Sequence, residues 1–84
     1  MKPKLVRLFV KPYCPWCHEA LAWLNQRGIL YQSLDVSQDL AARQEMFKLT
    51  QQTLAPVIEV DGHILADFDC GQLELFWKEH GYAL

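Results

Sequence analysis

An α/β fold with the order β-α-β-α-β-β-α, a four-stranded mixed sheet flanked by three helices, is predicted by three observations. A short apolar run, Leu5 to Val10, stops at Lys11-Pro12 and gives way to apolar residues at helical spacing. A second strand-like run, Ile29 to Val36, follows that helix, so the unit is βαβ and its strands are parallel with a right-handed crossover. Asp61-Gly62 then separates two further short apolar runs, a strong hairpin signal that makes the rest of the sheet antiparallel.

Leu5-Val6-Arg7-Leu8-Phe9-Val10 is β-branched and aromatic and reads as a buried strand. Pro12 ends it, because proline lacks an N–H and fixes φ. The first helix begins near Cys14 or Pro15, proline being favoured in a first turn. Cys17, Ala20, Leu21 and Leu24 follow the i, i+3, i+4, i+7 rule and predict one buried face. Arg27 suits the negative end of this helix and Gly28 its C′ position. After the second strand, Ser37 or Asp39 caps a second helix over roughly 38 to 50. Leu40, Met46, Phe47 and Leu49 are its expected apolar face, and the polar stretch Thr50-Gln51-Gln52-Thr53 ends it. Val57 to Val60 and His63 to Ala66 are the hairpin strands. Asp69 caps the last helix, which buries Leu73, Leu75, Phe76 and Trp77 and stops at Gly81. No linker, repeat or low-complexity segment interrupts residues 1–84, so a single domain is expected.

Composition narrows the function. The 84 residues are 51% hydrophobic and carry a net charge of −2, which argues against nucleic acid as a partner, since that calls for a basic patch. No apolar run approaches the ~20 residues of a membrane span. The run after the basic start, Met1-Lys2-Pro3-Lys4, is too short for a signal peptide. Three cysteines, an odd count at low density, do not suggest a secreted disulfide scaffold. A cytoplasmic location is therefore expected, where paired thiols serve catalysis or metal binding.

The pair is Cys14 and Cys17, three residues apart, where a strand ends and a helix begins. Cys14 at a helix N-terminus meets unpaired N–H groups and the positive end of the dipole, and Lys11 adds a positive charge; all favour the thiolate that attacks disulfides. Cys17, one turn further in, shares a helix face with Cys14 and is the resolving thiol. Pro15 and Trp16 stiffen the loop, and Tyr13 and Trp16 flank the thiol with aromatic surface. A zinc site fits poorly, because zinc wants four ligands, commonly from two pairs, and here there is one pair, with Cys70, His18 and His63 as scattered candidates. No metal is expected.

Lys11-Pro12-Tyr13-Cys14-Pro15-Trp16-Cys17 after a first strand resembles the active-site motif of glutaredoxins, within the thioredoxin-like superfamily. The similarity covers nearly the whole chain, with the same element order. It implies a thioredoxin-like (glutaredoxin) fold and a dithiol oxidoreductase with no tightly bound cofactor and glutathione as co-substrate. It also implies that Pro56 is cis and faces the thiols, and that Ala55 pairs its backbone with the cysteinyl part of glutathione. Lys11 matches the lysine that meets a glutathione carboxylate, with Tyr13 beside it. Gln52 falls near the residue that meets the same carboxylate. Phe68-Asp69-Cys70 falls where the family holds the γ-glutamyl end, so Asp69 is both cap and ligand. The implied partners are glutathione and disulfide-containing or glutathionylated proteins, and the implied state is a monomer.

The chain departs from the family pattern in three places. Leu54-Ala55-Pro56 replaces Thr-Val-Pro, Ala66-Asp67 replaces Gly-Gly, and Cys70 replaces a second acid. Asp67 adds negative charge where glutathione's carboxylates belong. Ala55-Pro56-Val57 and Phe68 also resemble glutaredoxin-like redoxins reduced by thioredoxin reductase. A glutathione-ligated iron–sulfur cluster carrier is the competing class, against which the rigid Pro15 counts.

Overall fold

The computed structural model describes residues 1–83. Strand β1 (Val6–Val10) leads to helix α1 (Pro15–Gln26), strand β2 (Gln32–Asp35) and helix α2 (Leu40–Thr50). Strands β3 (Val57–Val60) and β4 (His63–Ala66) and helix α3 (Cys70–Glu79) follow. The strands form one sheet in the order β2-β1-β3-β4. β1 and β2 are parallel, while β1 with β3 and β3 with β4 are antiparallel.

Alternation along the two central strands divides the core between the faces. Val6, Leu8 and Val10 of β1, with Ile58 and Val60 of β3, pack against α1 and α3 through Cys17, Ala20, Leu24, Leu73 and Trp77. Phe9 and Val57 point the other way, onto Val36, Ala42 and Met46. Helices thus cover both faces, and β1 carries its C-terminal end straight into the Cys14 loop.

Several boundaries and faces differ from expectation. β2 starts at Gln32 rather than Ile29, and β1 at Val6 rather than Leu5. β2 is an edge strand whose pairing with β1 runs from Gln32 opposite Arg7 to Asp35 opposite Val10, and Ile29 and Tyr31 pack against the core without joining the ladder. The cap of α2 is Asp39, whose Oδ1 accepts from Ala42 N at 3.1 Å; Ser37 is instead bonded to Asp35. Leu40 and Phe47 are exposed, and only Ala42 and Met46 of α2 are buried. This helix is anchored by charge: Arg7 makes two hydrogen bonds to the Glu45 carboxylate, at 2.8 and 2.7 Å, and a third to Glu59 at 2.7 Å. Leu75 is exposed on the outer side of α3, while Leu73, Phe76 and Trp77 are buried. Gly81 follows the helix with φ +73°, the left-handed conformation expected of it.

Candidate active site

Backbone geometry aims Cys14 at its surroundings. The strand cannot continue past Pro12, and the chain turns with Cys14 N donating to Lys11 O at 3.2 Å. Cys14 is the N-cap of α1, in extended conformation, and Pro15 occupies the first turn. Its sulfur takes the role an N-cap oxygen usually fills, accepting from Cys17 N at 3.2 Å. His18 Nε2 donates to Pro12 O at 2.6 Å and fastens the loop from its far side, which gives this histidine a structural duty. Lys11 Nζ donates to Thr53 O at 3.1 Å and ties the thiol loop to the segment before β3.

That segment forms the opposite wall. The Ala55–Pro56 bond is cis, and Pro56 is buried. Cys14 Sγ lies 3.9 Å from the Ala55 carbonyl oxygen. The two cysteines differ sharply in environment. Cys14 is half-buried, whereas Cys17 is fully buried in the α1–α3 core. Burial pushes the Cys17 thiol up to about 12, with the Cys14 sulfur adding to the shift and Lys11 opposing it. Tyr13 and Trp16 stand out on either side of Cys14, 75% and 56% exposed.

Two clefts open on these aromatic flanks. One, of about 310 Å³, is lined by Lys11, Tyr13, Ser37, Arg43 and Thr53. The other, of about 170 Å³, is lined by Trp16, Asp67, Phe68, Asp69 and Gln72. The first holds two cations and no carboxylate, the second two carboxylates and no cation. Lys11, Tyr13, Cys14, Ala55 and Pro56 thus share one end of the sheet with Phe68 and Asp69. Gln52 lies apart from both linings; its amide donates to Leu54 O at 3.2 Å and accepts from Leu54 N, closing its own loop. Cys70 opens α3 but lines a recess against α1 with Glu19, Trp23 and Arg27. Burial, helped by Glu19 and Asp69, raises its thiol above the usual range.

Arg43 was not anticipated. It lies one turn into α2, and α2 has too weak an apolar face for sequence periodicity to orient it; only the Asp39 cap, four residues before, marks where the turn falls. Gln72 was also missed, although its place three residues after Asp69 is a capping-box spacing that a search for that motif finds.

Comparison with known proteins agrees with this architecture. The family model described as Glutaredoxin matches residues 6–65. Glutaredoxin 3 of Escherichia coli is 34% identical over 64 residues, covering 76% of this chain and 77% of its own. An uncharacterised glutaredoxin-like 8.6 kDa protein in a rubredoxin operon of Clostridium pasteurianum is 30% identical over 70 residues, covering 83% of this chain and 93% of its own. The crystal structure of a thioredoxin-like protein superposes with a TM-score of 0.80 at 25% identity, covering 89% of this chain and 96% of that one.

Proposed function

The chain belongs to the glutaredoxin family and is a thiol–disulfide oxidoreductase, and from that premise we propose that Cys14 and Cys17 reduce protein disulfides or glutathione mixed disulfides at the expense of glutathione. The observation that carries this is the contrast between a half-exposed sulfur at a helix N-terminus and a buried, protonated one a turn behind it.

The cycle follows from that contrast. The Cys14 thiolate attacks one sulfur of the substrate disulfide, forms a mixed disulfide, and expels the other sulfur as a thiolate. Cys17 then attacks Cys14 Sγ. Its proton passes to the departing substrate thiolate, and the Cys14–Cys17 disulfide closes. One glutathione thiolate reopens that bond at Cys14 and frees Cys17; a second attacks the glutathionyl sulfur, leaving oxidised glutathione and the dithiol.

Glutathione fits the two clefts end to end. Its glycine carboxylate suits the Lys11 and Arg43 cleft, where Arg43 offers a planar fork and Lys11 a point charge. Its cysteinyl backbone lies along Ala55 and Pro56, and its γ-glutamyl end meets Asp69 and the first N–H groups of α3. Gln52 and Cys70 lie outside this groove. Asp67 favours a second reading of the reductant, thioredoxin reductase, because its charge repels the γ-glutamyl carboxylate. The proposed location is the cytoplasm, where dithiols stay reduced.

Following NADPH consumption decides the reductant: the oxidised protein is offered glutathione with its reductase, or thioredoxin reductase. Fast turnover with glutathione is expected, and turnover with thioredoxin reductase alone overturns that part of the proposal. Cys14→Ser abolishes all activity, while Cys17→Ser still removes glutathione from mixed disulfides. If Cys17→Ser cannot, the roles are reversed or shared.

A further inference from the structure

Asp67 is the feature the glutathione cycle leaves without a task. Its φ is +50°, a conformation that costs a side chain and not glycine, yet the chain keeps a carboxylate there. Its N–H donates to Pro56 O at 2.9 Å, so the residue is held in fixed relation to the wall that faces Cys14. Among the described residues its carboxylate makes no hydrogen bond and no ion pair. The neighbouring Asp69 is different: its Oδ1 accepts from Gln72 N at 2.8 Å and is committed to the helix cap. The cleft lining therefore combines the unpaired carboxylate of Asp67 with the exposed indole of Trp16, two residues after the nucleophile. A carboxylate and an exposed aromatic ring in one cleft suit a cationic side chain, by charge and by the ring quadrupole.

We propose that Asp67, with Trp16, is a specificity residue that receives a lysine or arginine beside the disulfide of a polypeptide substrate. The inference rests on the reading of Cys14 as nucleophile and adds the substrate class that this chain prefers. A polypeptide is the occupant because the opposite cleft, with Lys11 and Arg43, has the complementary sign: a segment crossing Cys14 with a basic residue on one side and an acidic one on the other matches both ends. Its disulfide is reduced to thiols as Cys14 and Cys17 are oxidised, so no further reactant is needed.

The test uses the reduced protein in single-turnover reactions with peptide disulfides of one sequence. Lysine, glutamine or glutamate is placed next to the cystine half, before or after it in turn, and the exchange is followed by tryptophan fluorescence. At one of the two placements lysine should react about fivefold faster than glutamate at low salt, the size of one exposed charge contact with an aromatic face. That ratio should approach one in Asp67→Asn, which keeps a residue tolerant of positive φ, and should shrink in the wild type as salt rises. A ratio that persists in Asp67→Asn, or that ignores salt, overturns the proposal while leaving the redox reading intact. Failure of the glutamine peptide to exchange with Cys14 at all overturns the redox reading itself.

Discussion

Cys17 holds a proton that an exposed thiol would lose. In the folded protein burial and the adjacent Cys14 sulfur push it up to about 12, whereas in the unfolded chain it titrates near ~8.5. Between those values the folded state binds more protons than the unfolded one, so stability falls as pH rises. The contribution is fully present at neutral pH and is lost between about pH 8.5 and 12. Denaturant titrations of the reduced protein should show that decline, and Cys17→Ala should reduce its slope by up to about one proton. What remains belongs to Cys70 and Tyr82, both raised chiefly by burial. An unchanged slope in Cys17→Ala would mean that Cys17 ionises freely. The same proton fits the proposed division of labour, in which Cys14 meets the substrate first and Cys17 passes its proton to the thiolate that departs.

Helix α3 shows two duties in one element. Asp69 and Gln72 form a capping box: Asp69 N donates to Gln72 Oε1 at 2.9 Å while the Asp69 carboxylate accepts from Gln72 N. Asp69→Ala should cost about 1 kcal/mol in stability, the usual value of a lost N-cap. Asp69→Asn keeps a capping oxygen and removes the charge, so its stability should stay close to the wild type while the KM for glutathione mixed disulfides rises severalfold. Equal loss of stability in both variants would show that the charge, and not the cap, supports the helix. The cap leaves little room at its side, since a methyl on Gly71 would lie 3.3 Å from Asp69 Oδ1. α2 illustrates the opposite economy. Two buried residues and the Arg7–Glu45 pair hold it, which leaves Arg43 free to face the cleft.

At the scale of the molecule, Asp61 joins three distant parts of the chain. Its carboxylate accepts from Lys4 N and Leu5 N at 2.9 and 2.8 Å and from the Tyr82 hydroxyl at 3.2 Å, while its own backbone turns the β3–β4 hairpin at φ +50°. These donors, Leu5 N foremost, hold the carboxyl below its usual range. Its contribution is therefore complete at neutral pH and disappears as acid protonates it. Asp61→Ala loses the acceptor and strains the turn, and should lower the melting temperature by roughly 5 °C or more at neutral pH. The deficit against wild type should narrow as acid protonates the wild-type carboxyl; a deficit independent of pH would assign the whole effect to the turn.

Taken over the whole chain, local chemistry determined the element order, the hairpin at Asp61-Gly62, the α3 cap at Asp69 and the placing of Cys14 and Cys17 around a helix start. Each of these depends on residues within a few positions of one another, so proline, glycine and spacing suffice to show them. Tertiary structure decided what depends on the pairing of distant segments. β2 is confined to the four residues that pair with β1, and Leu40, Phe47 and Leu75 are outside because the sheet faces are filled by others. Arg43 reaches the Lys11 cleft only through the docking of a helix whose own pattern does not orient it, and Gln52 turns back on its loop instead. The opposed charges of the two clefts arise the same way, from four segments that meet only when the sheet closes around Pro56.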